Sequence, residues 1–267
     1  MFTSKTKYPT DSFSKNRVGK ATKSKKGSFR ESSRSKRAEH SSPRSQSTGS
    51  APVTPNLTSA IITLCVGREQ RLFAAHEDVL CHSPFFQAAC RGQFFESSSK
   101  RIDLPDDEPE VFSSVLEYLY KGDYYPRLEF DKRRHSWALE DGHAGQAVNE
   151  AVVMLNGAYP ILKDTVIYCT AEKYGLEELK RLALRKQGLQ SGVQCSTILT
   201  SARYAYANTP DSDSKLRAHY LALIVRSRQT FKRSGTMQSE MEAGGKLFFD
   251  LFVAMVNHMD DLAASKR

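Results

Sequence analysis

No two cysteines in this 267-residue chain stand at C-x-x-C spacing. The five present, Cys65, Cys81, Cys90, Cys169 and Cys195, are odd in number and far apart. That pattern argues against a disulfide framework and against paired zinc ligands. Most of the five sit in apolar runs, where a free thiol packs as a small hydrophobe. Long apolar runs are also missing. The longest, Leu247 to Val256, is too short to cross a bilayer and carries Asp250. The first charges are followed by no apolar core of the ~7 residues or more that a secretory signal needs, and no amphipathic stripe suits a mitochondrial presequence. Catalytic fingerprints are lacking as well: there is no G-x-S-x-G, Walker A, H-E-x-x-H or G-x-G-x-x-G. Gly244-Gly245-Lys246 has neither the strand nor the first glycine of a phosphate loop and reads as a break before an apolar helix. The expectation is a non-enzymatic chain without cofactor, metal or membrane anchor, working in the nucleus and/or cytoplasm.

What is present is unevenly distributed. Residues 1–58 hold 13 Lys and Arg against three acids (Asp11, Glu31, Glu39), leaving 26 basic and 27 acidic residues for the remainder. The net charge of +9 is thus a basic tail on a nearly neutral body. Through Ser50 the larger apolar side chains are only Met1, Phe2, Tyr8, Phe13, Val18 and Phe29. So little apolar surface cannot offset the entropy of ordering, and the tail is expected to be disordered. Lys20, Lys23, Lys25 and Lys26, then Arg34, Lys36 and Arg37 after a Ser-rich spacer, resemble a two-part nuclear import signal. A solubilising basic arm is the alternative. The same charges would attract nucleic acid without sequence preference.

Ordered sequence begins near Ser59. Ile61 to Val66 is a β-branched run ended by Gly67, and Arg71 to Ala75 returns as the second strand of a hairpin. A short helical pattern follows from Glu77. Ser83 and Pro84 then form an N-cap and first helical residue, with Phe85, Phe86, Ala88 and Ala89 as the buried face of that helix. "KRIDLP" is a brief strand. Asp107 and Glu110 have capping-box spacing ahead of Val111, Phe112, Val115, Leu116 and Leu119, and Gly122 closes the run.

Particular residues carry a family resemblance. They are Val66-Gly67, Phe73-Ala74-Ala75-His76 with Val79-Leu80, Ser83-Pro84-Phe85-Phe86, Phe94-Phe95-Glu96-Ser97, Ile102-Asp103-Leu104 and Leu116 to Gly122. A last block, "YCTAEKYGLEELKRLALRK" from Tyr168, completes the set. In this order they resemble a BTB (POZ) domain, of the kind found in many proteins of filamentous fungi. The resemblance implies an α+β fold, a short three-stranded sheet flanked by helices, over residues 59–189. Residues 123–163, containing "EFDKRRHSWALEDGHAGQ", form an insertion whose charges and glycines suggest a surface loop, which Trp137 could anchor onto the body. Residues 190–267 form a helical extension with apolar segments at Ile198–Ala207, Leu216–Val225 and Leu247–Val256. The last is apolar almost all round and is expected to be buried in a core or a partner. Between the last two segments, the basic residues of "RSRQTFKR" (Arg226, Arg228, Lys232, Arg233) could bind acidic groups, but a solvated helix end is the preferred reading.

The stretch "FAAHEDVLCHSPFF" (73–86) looks at first like a metal site or a nucleophile with its base. His76 and Cys81 are five apart on a short helix, so their side chains diverge. The structural reading is preferred, with His76 at the strand-to-helix turn, Asp78 in solvent and Cys81 packed beneath.

The resemblance also implies partners. In cullin-binding members an apolar residue, any residue and a glutamate follow the "SPFF" helix, and Phe94, Phe95 and Glu96 fall at that place. An aromatic anchor would bury its ring in the partner while the carboxylate fixes register. Alternatively, Phe94 plugs its own core and Glu96 caps the loop. The implied partners are a cullin scaffold and a substrate protein. The other family use, dimerisation of nuclear regulators, lacks support from any zinc finger, basic zipper or helix-turn-helix. Self-association is expected to be weak or absent, because Ser59-Ala60-Ile61 offers no acid and Glu77 stands where the family's interface has a base.

Overall fold

The computed structural model describes residues 58–91, 100–140, 151–155, 159–190 and 192–265. All of these belong to one compact unit. The β-branched run becomes β1 (Ile61–Val66) and its return β2 (Arg71–His76), paired antiparallel from Ile61↔His76 to Val66↔Arg71. α1 (Glu77–Leu80) and α2 (Pro84–Arg91) follow, then β3 (Arg101–Leu104). β3 pairs parallel with β1, giving the order β2-β1-β3. Because β1 is central, Ile62, Leu64 and Val66 on one face and Cys65 on the other are all buried.

α3 (Pro109–Lys121) buries Val111, Phe112, Val115 and Leu116 as its spacing predicts, and Gly122 ends it in the left-handed region (φ 74°) that favours glycine. Its start differs from expectation. Glu108 holds the cap position and Pro109 the first helical one, while the Asp107 carboxylate turns away to accept from Lys173 Nζ (2.7 Å) and the Tyr174 hydroxyl (2.9 Å). A proline at that position brings no N–H needing a capping partner, so the aspartate is free to serve a tertiary contact. In α2, Ala88 is exposed and Cys90 is buried in its place. The helix presents Phe86 and Cys90, one turn apart, to the core.

The insertion expected as a surface loop instead carries two antiparallel ribbons. They are β4 (Leu128–Asp131) with β5 (Ser136–Leu139), and β6 (Val152–Leu155) with β7 (Tyr159–Leu162). Val153, Ile161 and Leu162 are buried, so short alternating apolar stretches outweighed the charges around them. Trp137, 44% exposed on β5, lies beside Phe130 (5.2 Å between rings) and beneath the Arg185 guanidinium (5.3 Å).

α4 (Lys163–Tyr174) and α5 (Glu177–Gln187) form the expected helix pair. The extension adds α6 (Cys195–Asn208), α7 (Lys215–Arg226), the short α8 (Arg228–Phe231), α9 (Gly235–Ala243) and α10 (Lys246–Ala264). α4 is the centre of the body, with Val166, Ile167, Tyr168 and Ala171 all buried. Its end joins an aromatic cluster in which Tyr174 lies 4.7 Å from Phe86 and Phe86 lies 6.2 Å from Phe112. α10 departs from expectation. Only Leu247, Phe248 and Leu251 are buried, and most of its other large apolar side chains face outward. No helix among the described residues is long and apolar enough to cross a membrane.

Candidate protein-interaction surface

The histidine–cysteine stretch resolves into a corner of the fold. His76 ends β2 and precedes α1, where its backbone N–H donates to the Tyr120 hydroxyl (2.9 Å) and its Nδ1 shares a hydrogen bond with the same oxygen (2.7 Å). The Ser59 hydroxyl accepts from the Asp78 N–H (3.3 Å), which ties the start of α1 to the residue two before β1. Asp78 is exposed. Cys81 is half-buried, within hydrogen-bonding reach of Cys90. Burial, with Glu77 nearby, pushes the Cys81 thiol up, and burial pushes Cys90 up to about 11. Thiols held protonated at neutral pH are poor nucleophiles and poor metal ligands. Among the described residues no group of three or more His, Cys, Asp and Glu is placed to hold a metal ion.

The neighbouring Ser83 joins two helix ends. Its buried hydroxyl donates to the Tyr174 carbonyl (2.7 Å) and accepts from the Phe86 N–H (3.4 Å). It therefore serves the end of α4 and the start of α2 together. Gly175, at φ 69°, follows Tyr174, and a Cβ there would meet the Pro84 ring at 3.2 Å. Both the backbone angle and this close approach require glycine. Around the junction lies a groove of about 390 Å³, walled by His82, Tyr118, Leu119 and Leu176 and edged by Glu177 and Glu178. Half-buried aromatic and aliphatic walls with carboxylates at the edge suit a polypeptide carrying apolar and basic side chains.

Phe94, Phe95 and Glu96 lie outside the described residues, in the segment bounded by Arg91 at the end of α2 and Arg101 at the start of β3. The import-signal candidates Lys20, Lys23, Lys25, Lys26, Arg34, Lys36 and Arg37 also lie outside the described residues.

Buried ionic contacts hold this face to the rest of the body, and sequence reasoning missed them. Lys186 is fully buried (0% exposed), with Nζ donating to the Asp123 carboxylate and to the carbonyls of Tyr124 and Pro126 (2.8 Å for the last). Burial draws its pKa below the ordinary lysine value, against the pull of Asp123. The Tyr124 hydroxyl donates to Asp164 (2.6 Å), which also accepts from Gln190 (2.9 Å). Lys180 pairs with Glu172 and with Asp213 (2.8 Å), joining α5 to the loop before α7. Thr165 meets both Gln187 (2.7 Å) and Tyr220 (2.6 Å), linking α4, α5 and α7. On a helix reading "KRLALRKQ" nothing marks Lys180 and Lys186 apart from Arg181 and Arg185. Only the tertiary partners do.

Residues 61–132 match the BTB/POZ domain family. The match covers the three-stranded sheet, α1 to α3 and β4, and this part of the chain is a BTB domain with its small sheet flanked by helices. BTB domains are in general non-enzymatic modules through which proteins associate with copies of themselves or with cullins.

Proposed function

We propose that this chain is a non-enzymatic adaptor that recruits a substrate protein to a cullin-type ubiquitin-ligase scaffold. The BTB domain at residues 61–132 carries the reading, since cullin binding is one of the partnerships such domains make. Phe94, Phe95 and Glu96 would contact the cullin, the aromatic rings by burying apolar area and the carboxylate by a charge-assisted hydrogen bond. The groove at His82, Tyr118 and Leu176 would extend that contact, and the C-terminal helices would hold the substrate protein.

The test is capture of cullin by the tagged full chain from a cell extract, read by immunoblot. Glu96→Ala should abolish capture while leaving the melting temperature within a few degrees, as a change that removes only a partner contact does. Phe94→Ala should lower capture without loss of stability if the ring faces the partner. If the ring plugs the core instead, the change costs roughly 3–5 kcal/mol. An unmutated chain that captures no cullin, or capture that survives Glu96→Ala, defeats the adaptor reading.

A second reading, a nuclear regulatory or scaffold protein, is favoured by the basic tail, with 13 Lys and Arg in residues 1–58. Under it, deleting residues 1–50 should lower the nuclear fraction of a fluorescent fusion, and nucleic-acid retention should fall steeply with salt.

A further inference from the structure

The last helix carries more apolar surface than the body covers. α10 has 19 residues, about 28 Å at the usual rise. Its buried side chains all lie in its first two turns. Beyond them Phe252 (65% exposed), Met255, Met259 (59%) and Leu262 face outward, and Phe249 is 69% exposed. Phe248, Phe252, Met255, Met259 and Leu262 are spaced four, three, four and three residues apart, the a/d pattern of a coiled-coil seam. The flanking positions hold Phe249, Val256 and Ala263 on one side and Leu251, His258 and Ser265 on the other. No acid, lysine or arginine stands there, so no like-charge pair opposes a second helix of the same sequence.

The seam begins inside a cleft. A groove of about 910 Å³ separates α10 from α7, α8 and α9, with Ile224, Phe231, Met237 and Leu251 among its lining residues. Its lining also carries three bases, Arg228, Lys232 and Arg233, against one acid, Glu242. Ser234 lines the same groove at 4% exposure, and its hydroxyl meets no hydrogen-bonding partner among the described residues. Buried hydroxyls are normally satisfied.

We propose that this groove receives the C-terminal half of α10 from a second copy of the chain. The groove wall and the inserting stripe are opposite halves of one helix, so two copies fill each other's grooves only when the helices run antiparallel. The two-fold axis then passes near Met255, and Phe248 and Phe252 meet the partner's Leu262 and the partner's Met259. Charge selects the same occupant. The inserting half carries Asp260 and Asp261 ahead of Lys266 and Arg267 and so brings no net positive charge to the basic rim, whereas the basic residues 1–58 are repelled by it. The contact is independent of the cullin reading and uses a face outside the BTB domain.

Sedimentation of the full chain from about 1 to 100 µM tests it. The mass should rise from 30.0 kDa toward twice that value. Phe252→Glu combined with Met259→Glu should hold the chain at the protomer mass with an unchanged circular-dichroism melt. Should that pair unfold the chain, Met259→Gln alone should still weaken the dimer about tenfold. Leu72→Glu, on the exposed side of β2, should leave the dimer intact. Met255→Cys should cross-link across the axis with a short bismaleimide. Leu262→Cys, about 21 Å from its symmetry mate, should not, with the unmutated chain as the control for Cys81. A chain that stays a monomer throughout the range overturns the proposal. So does a dimer that survives the α10 changes, one lost on Leu72→Glu, or equal cross-linking at 255 and 262.

Discussion

The aromatic cluster beneath β2 and the outer face of α10 are built from the same residue types and end in opposite places. Phe86, Phe112 and Tyr174 interlock at 4.7–6.3 Å between ring centroids, and all three are buried. Among the described residues no ring packs in this way on Phe249 or Phe252, and both remain exposed together with Met255 and Met259. The first set is enclosed from several directions by β2, α2, α3 and α4, each bringing an apolar face. α10 closes the fold from one side only. Its sequence is as apolar as a core helix, yet the body supplies a wall for just two turns. The difference teaches that apolar content alone does not place a helix in a core, and that the surplus marks a contact with another chain.

Several measurements would break or sharpen this contrast. The largest effect is expected in alkali. Tyr124, Tyr174 and Tyr220, all in the enclosed body, have phenolic pKa values raised above the ordinary value by burial. Their folded forms hold the proton more tightly than the unfolded chain, whose tyrosines titrate near pH 10. Their contribution is therefore whole below about pH 10 and is lost as pH rises from there toward the folded values. Tyrosinate absorbance and loss of circular dichroism should appear together. Ionisation of these tyrosines well before unfolding would show that the enclosed region is open to water.

Next in size, Phe112→Ala should cost about 3–5 kcal/mol in denaturant unfolding, because the ring is fully buried and its cavity cannot collapse against four elements. A cost under about 1 kcal/mol would place the cluster on a par with α10. Lys186→Ala should cost about 2–3 kcal/mol. That is less than the loss of a wholly buried pair, since the Asp123 side chain keeps 24% exposure and can rehydrate. Lys186→Met, which fills the space without the charge, should cost less than alanine if packing dominates and more if the stranded carboxylate does. Ser83→Ala should cost about 1–2 kcal/mol, the price of one buried hydroxyl serving two helix ends. Smallest of all, Phe249→Ser should change stability by no more than about 0.5 kcal/mol at concentrations where the chain is a monomer. The same substitution at Phe86 should be among the most damaging in the chain.

Much of the BTB domain was legible in the sequence. The β-branched run and its return gave the hairpin, Ser83-Pro84 gave the start of α2, and Gly122 gave the end of α3. Each is a local signal, because strand alternation, caps and left-handed glycines act within a few residues. The misreadings share one cause. Asp107 has the spacing of a capping residue, but a tyrosine and a lysine 66 or more residues away claim its carboxylate. Residues 123–163 read as a loop by charge and glycine content, yet β6 and β7 form because Val153, Ile161 and Leu162 find a wall on α6, where the Leu162 N–H donates to Ser201 (2.9 Å).

By itself the sequence determined the α+β order, the hairpin, the start of α2, the end of α3 and the basic character of residues 1–58. These depend on residue type and spacing alone. Tertiary structure decided which basic residues of α5 are buried, since Lys180 and Lys186 meet carboxylates across the fold while Arg181 and Arg185 face outward. It likewise decided that the Ser83 hydroxyl serves α4 as well as α2, and how far along α10 the core extends. Burial is a property of what surrounds a side chain, and for α10 the surroundings run out after Leu251.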